Sequence, residues 1–225
     1  MRQRSTPQEL PREGTISALH PTVRDPTRLT VKVDGRAVGT LSQKLIADLN
    51  LAVKDPWTPE LADSLAGALL YDKAFRAATR RLARRAMSAG MVSDKLRELG
   101  HDPEVREAVM QRLDELGLID DTAYAQMLIR ETQRAKPAGP MLLRQKLMQK
   151  KVDRSLIDRL VAEATADPDD QRAAARQLVE KKLPSLARFD AATRKRRLYG
   201  QLARRGFTSD VISDAMAGIE DKDRQ

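Results

Sequence analysis

The chain has no cysteine and only two histidines, His20 and His101. Disulfides, thiolate metal sites, cysteine nucleophiles and nearly every histidine-based catalytic triad are thereby excluded. Aromatic residues make up only 3 % of 225 positions, so a core must be assembled from Leu, Ala, Val and Met. Those residues favour close helix packing over a bulky sandwich interior. No apolar run approaches the roughly 18 residues needed to cross a bilayer. The opening MRQRSTPQELPREG carries Glu9 and Glu13, and so resembles neither a secretory signal nor an acid-free transit peptide. A soluble, cytoplasmic chain without membrane contact is expected. Phosphate-cradling Gly-rich loops, metal-ligand clusters and a Gly-x-Ser-x-Gly elbow are all missing, so no catalytic residues, cofactor or metal are expected, and the chain reads as a non-enzyme.

What is present is apolar content of 41 %, enough for a core, and a net charge of +9. The charge is uneven. Residues 1–70 hold 9 basic and 8 acidic groups, leaving +8 on residues 71–225. Such a field suits nucleic acid or an acidic protein surface.

The back two-thirds repeats itself. KLRELGHDPEVREAVMQRL, KLMQKKVDRSLIDRLVAEA and QLARRGFTSDVISDA align with Leu96, Leu147 and Leu202 at the head, at periods of 51 and 55 residues. Gly100, Lys151 and Gly206 follow at plus four, and Val105, Leu156 and Val211 at plus nine. Val109, Leu160 and Ala215, then Met110, Val161 and Met216, then Leu113, Ala164 and Ile219 continue one apolar helical face. Tandem helical units have this signature. Each unit reads as three helices; in the last, Leu198, Tyr199 and Leu202 mark the middle helix. Gly100 and Gly206 supply left-handed residues after middle helices, and Phe207 folds back onto the core. Lys151 must occupy the same position with a Cβ, which predicts a slightly different turn there.

The expected class is mainly α: three tandem three-helix modules in an extended curved array, preceded by a small N-terminal segment containing a β-hairpin. The divisions are a disordered tip (1–15), a β-rich cap with a short helix (16–57), helical modules at 58–119, 120–167 and 168–220, and a disordered tail (221–225). In the cap, Leu29, Val31 and Val33 alternate before Asp34-Gly35, a strong hairpin signal. ISALHP offers a third strand. Thr58 and Pro59 open a helix, and the first module's leading helix is read from Tyr71 onward.

Asp120-Asp121 is the only pair inviting an acid/base or metal reading, and a helix cap explains it more simply. Tyr124 begins the buried stripe of the helix that follows, and Pro137, Gly139 and Pro140 break the chain before the next. The basic stripes weigh more. Arg76, Arg80 and Arg84 recur at i+4 spacing; Arg144, Lys146, Lys150 and Lys151 follow, then Arg194 to Arg197, then Arg204 and Arg205. Like charges at this spacing destabilise a helix by about 0.2–0.5 kcal/mol per pair, which points to an anionic partner. Arg80, Arg84, Arg144, Lys146, Lys150, Arg194, Arg197, Arg204 and Arg205 are the candidate binding face. The alternative is a solvated surface merely rich in arginine.

These residues also resemble a family. LARR through KLRELG, LGLIDDTAYA, AGPMLLRQKL and LARRGFTSDVI together resemble RecX, the bacterial regulator of the RecA recombinase, over roughly residues 70–220. The resemblance implies three tandem three-helix modules, binding in the groove of the RecA filament, and restraint of RecA ATP hydrolysis, strand exchange and coprotease activity. It also marks Asp120, Asp121, Tyr124, Gly139, Pro140, Gly206 and Phe207 as motif residues of structural role. Single- or double-stranded DNA is a further expected ligand, and a monomer is expected. Two departures stand out: Ser88-Ala-Gly-Met91 lacks the family's reciprocal Ser-x-x-Glu cap, and Lys150-Lys151-Val152 replaces Lys-Gly-Ile. The rival expectation is an architectural or transcription factor whose helix pairs enter DNA grooves directly.

Overall fold

The computed structural model describes residues 10–220, and side chains up to residue 217. Residues 1–9 of the expected tip, the tail 221–225 and the Ile219 side chain lie outside the described residues. Four strands and ten helices are described. They fall into two compact units, one comprising the chain up to Arg84 with Lys95–Glu115, the other Arg85–Asp94 with the chain from Leu116.

In the first unit β1 (Gly14–Pro21), β2 (Arg28–Val33), β3 (Arg36–Ser42) and β4 (Pro56–Trp57) form an antiparallel sheet in the order β3-β2-β1-β4. Asp34 and Gly35 have φ of 46° and 79°, the doubly positive turn whose twist matches the flanking strands. Residues 10–15, expected in the tip, are packed against the sheet and the helix that begins at Pro59. The buried Trp57 ring needs an acceptor for its N–H, and finds the Pro11 carbonyl at 2.7 Å. Arg12 meets Asp63 at 2.7 Å, and Gly14 pairs with Trp57.

Alternation on β2 turns Val31 and Val33 inward, and a bulge at Val38 lets both Val38 and Leu41 of β3 face the same side; with Ile16 they pack on Ile46 of α1 (Gln43–Asp48) and on Ala62 and Leu65. The last two belong to α2 (Pro59–Leu82), capped by the Thr58 side chain on the Leu61 amide. The helix read from Thr58 and the one read from Tyr71 are therefore a single 24-residue helix, because nothing between them breaks the hydrogen-bond ladder. Arg28 forks onto Asp72 at 2.9 and 2.7 Å and donates to the Thr40 carbonyl, fastening sheet to helix through a buried, bidentate pair.

Three helical stretches follow: α3 (Ala89–Glu98) and α4 (Pro103–Glu115); α5 (Asp121–Ala135), α6 (Pro140–Gln149) and α7 (Arg154–Ala164); α8 (Pro168–Leu186), α9 (Ala191–Arg204) and α10 (Ser209–Glu220). Within the second unit α5–α7 close on Tyr124, Ile129, Leu143, Leu147, Ile157 and Leu160. Helices α8–α10 close on Leu178, Val179, Leu198, Leu202, Phe207 and Ile212.

After each middle helix the chain makes one and the same turn. His101, Val152 and Phe207 donate to the carbonyls of Leu96, Leu147 and Leu202 at 3.2, 3.3 and 3.3 Å. Gly100, Lys151 and Gly206 donate to Arg97, Met148 and Ala203, each at 2.9 Å. This is the paired-bond helix stop built on one left-handed residue, with φ of 80°, 57° and 80°. The different turn expected at Lys151 is not found. The side chain is accommodated by strain of about 1 kcal/mol rather than by a new geometry.

Candidate interaction face on the middle helices

A helix leaves carbonyls unpaired at its end and amides unpaired at its start, and in the second unit these orphans satisfy one another. The α9 turn offers the Arg205 and Gly206 carbonyls to the Gly139 and Met141 amides at 2.9 and 3.0 Å. Gly139 has no side chain with which to cap α6, so α9 caps it. One step on, the Lys150 carbonyl after α6 accepts from the Ser88 hydroxyl, which itself accepts from the Met91 amide at 3.2 Å. The end of α9 thus abuts the start of α6, and the end of α6 abuts the start of α3, with dipoles head to tail.

Backbone lies against backbone at these junctions. A Cβ on Gly206 would stand 2.1 Å from the Leu142 amide nitrogen, one on Gly139 2.3 Å from the Gly206 carbonyl oxygen, and one on Gly90 2.4 Å from that of Lys151. Gly139 gives close approach and Pro140 opens α6. Phe207 is buried in the α8–α10 core.

Asp120 and Asp121 are caps, and they divide the work. Asp120 accepts from the Ala123 amide of its own helix at 2.8 Å. Asp121 reaches back to the Ala89 amide at 2.7 Å, supplying α3 from outside with a carboxylate that the missing capping-box Glu does not provide. Burial pushes the Asp121 carboxyl above the usual carboxylate range. Buried Tyr124 donates to the Met91 sulfur at 3.7 Å. Among the described residues no group of three His, Cys, Asp or Glu side chains could hold a metal ion, and no helix is long and apolar enough to cross a membrane. Half-buried His101 has its pKa lowered, by burial first and then by Lys73.

Charge is sorted by helix. Helix α6 holds Arg144 and Lys146, and α9 holds Arg194, Lys195, Arg196, Arg197 and Arg204; neither holds an acid. Helix α10 is the reverse, with Asp210, Asp214 and Glu220 and no base. On α9 Lys195, Arg196, Arg197 and Arg204 are exposed. Arg197 stacks on Phe189 at 3.8 Å, with Arg188 at 4.8 Å from the same ring; such contacts orient a guanidinium without neutralising it. Arg144 is partly compensated by Asp158 at 3.2 Å, and Lys151 by Asp94 at 3.5 Å. Lys146 and Lys150 are half-exposed. In the first unit Arg80 and Arg84 are exposed near the end of α2, Arg80 folding onto the Arg76 carbonyl.

Two residues stand differently from expectation. Arg205 was placed on the open basic face, yet its guanidinium donates to the Pro137 and Lys136 carbonyls at 2.7 and 2.6 Å, bracing the α9 turn against the segment before α6. Burial lowers its pKa, but an arginine stays charged. Tyr199 was placed with the apolar stripe of α9 but is 49 % exposed, because Leu198 and Leu202 alone fill the inward face. It stands one turn beyond Lys195 and Arg196. Sequence reasoning also missed the sorting of charge by helix, although the signal, two acid-free stretches at 140–149 and 191–204, was there to be read.

These features define a class: a protein of tandem three-helix modules whose middle helices α6 and α9 carry cations and no acid. Family profiles described as "RecX, first three-helix domain", "second three-helix domain" and "third three-helix domain" match residues 74–113, 120–160 and 169–216. The chain belongs to the RecX family. It is 34 % identical over 147 residues to the "Regulatory protein RecX" of Chlorobium phaeobacteroides (strain BS1), covering 65 % of this chain and 93 % of that one. It is 29 % identical over 208 residues to that of Geobacillus kaustophilus (strain HTA426), covering 91 % and 77 %. A solved structure titled "Crystal structure of regulatory protein RecX" superposes with a TM-score of 0.77 at 24 % identity, over 88 % of this chain and 97 % of that one, and shows the same fold.

Proposed function

We propose that this chain is a non-enzymatic cytoplasmic regulator of the RecA recombinase, binding the groove of the RecA–DNA filament through the acid-free face of α6 and α9 and restraining ATP hydrolysis, strand exchange and coprotease activity. One observation carries the reading: exposed cations on α9 have no acid on their own helix, so their field is directed outward. Arg80, Arg84, Arg144, Lys146 and Lys150 supply further cations for the same polyanionic partner, and Arg205 acts by holding the α9 turn in place. The test is RecA on single-stranded DNA with ATP, given this protein in stoichiometric excess. A fall in hydrolysis and strand exchange is expected; unchanged rates would reject the reading.

A second reading, direct DNA binding without a recombinase, draws on exposed Tyr199 beside Lys195 and Arg196, since an exposed ring among cations can stack on a base. Salt titration on DNA alone distinguishes the two. A pure DNA binder holds DNA tightly without RecA and loses affinity steeply with salt.

A further inference from the structure

A helix that meets only water turns polar or charged residues outward. Helix α9 follows this rule and α6 breaks it. The two share one frame: Leu143 and Leu147 of α6 match Leu198 and Leu202 of α9 in the repeat, and none of the four is more than 1 % exposed. On that frame Met141 stands where α9 has Arg196, and Gln149 where it has Arg204. Met141 is 61 % exposed and Met148 55 %. A separation of seven residues puts both on one side of α6, with exposed Gln145 between them. No other described methionine is exposed: Met87 and Met216 are buried, and Met91 and Met127 pack against the α5–α7 core.

The cations of α6 stand to the side of this stripe. Lys146 and Lys150 are half-exposed, and Arg144 is drawn to Asp158 at 3.2 Å. The outermost surface of α6 is thus apolar and uncharged, edged by lysine. A thioether and a primary amide do nothing to neutralise phosphate. A methionine is polarizable and adapts its shape to apolar and aromatic side chains, and methionine is enriched where proteins meet proteins.

We infer that the Met141–Gln145–Met148 side of α6 is a docking surface for a protein, whose matching patch is apolar and bordered by carboxylates that face Lys146 and Lys150. Nucleic acid is the wrong occupant for it. The inference rests on the recombinase reading in one respect, that the protein so bound is a RecA subunit. It adds a division of labour: α9 meets its partner through charge, and α6 through apolar burial.

The test uses the full-length chain with Met141→Gln and Met148→Gln together, a change that removes the apolar anchors while keeping net charge and helix propensity. Wild type and variant are titrated onto RecA assembled on single-stranded DNA, and separately onto the same DNA alone. We expect the variant to bind the filament about tenfold more weakly than wild type. The ratio should be the same at low and raised salt, because no charge has changed, and the two proteins should bind bare DNA equally. A Met141→Leu, Met148→Leu variant stays apolar and should bind the filament as wild type does. Equal filament binding by wild type and the glutamine variant, an equal loss on bare DNA, or the same loss in the leucine variant would overturn the inference and leave the recombinase reading standing. A wild type that does not bind the filament would overturn both.

Discussion

Val152 donates its amide to the Leu147 carbonyl at 3.3 Å, the same bond at the same length that Phe207 makes to Leu202, although a lysine stands between the first pair and a glycine between the second. The turn is therefore dictated by the helix that ends and the core that follows, and Lys151 submits to it at φ 57°. Replacing Lys151 with glycine should raise stability by about 0.5 kcal/mol, the relieved strain exceeding the entropy of a more flexible unfolded chain. A denaturant midpoint that falls would contradict this.

Gly206 and Gly100 have the same φ of 80° and predict unequal penalties. Gly100→Ala meets open space and should lose only the left-handed penalty, about 1 kcal/mol. Gly206→Ala drives a methyl to 2.1 Å from the Leu142 nitrogen, forcing the α6 start away from the α9 turn, and should lose about 3 kcal/mol or more. Urea unfolding of both variants gives the comparison, and equal losses would mean the junction is not tight.

Arg205 and Arg204 are neighbours with separate duties. Arg205→Gln leaves the Lys136 and Pro137 carbonyls without their donor and should destabilise the fold by about 1–2 kcal/mol. Arg204→Gln, on an exposed site, should change stability by less than about 0.5 kcal/mol. Thermal melts of the two variants make the test.

Asp121 contributes a pH dependence with a defined sign. Its pKa in the fold is raised, by burial first, so the folded protein takes up this proton more readily than the unfolded chain. Stability from this residue therefore grows as pH falls from the raised value toward the ordinary one of about 3.9. An Asp121→Asn variant keeps an acceptor for the Ala89 amide but has no such proton. The difference in stability, wild type minus variant, should move in favour of wild type across that window; a shift the other way would show the carboxylate to be net stabilised where it sits.

Much of this protein was legible before its structure. The Leu96, Leu147 and Leu202 repeat located all three turns because a helix stop needs a left-handed residue and an apolar residue after it, both local in sequence. The Asp34-Gly35 hairpin was legible for the same reason. Arg205 was not, because its partners at positions 136 and 137 are remote in sequence, and a guanidinium on an exposed helix looks identical to one bent back onto carbonyls. Asp121 was seen as a cap, but the helix it serves begins 32 residues earlier. Tyr199 misled because apolar periodicity does not distinguish an inward ring from one at the margin of the stripe.

The central claim, that the exposed cations of α9 engage the RecA filament, is tested most directly by co-pelleting with RecA assembled on single-stranded DNA. The triple variant Arg194→Glu, Arg196→Glu and Arg197→Glu is compared with wild type and with Arg112→Glu, a reversal on α4. Wild type and Arg112→Glu should pellet with the filament and slow its ATP hydrolysis, while the folded triple variant stays in the supernatant and leaves hydrolysis unchanged. A triple variant that pellets and inhibits as wild type does would contradict the account.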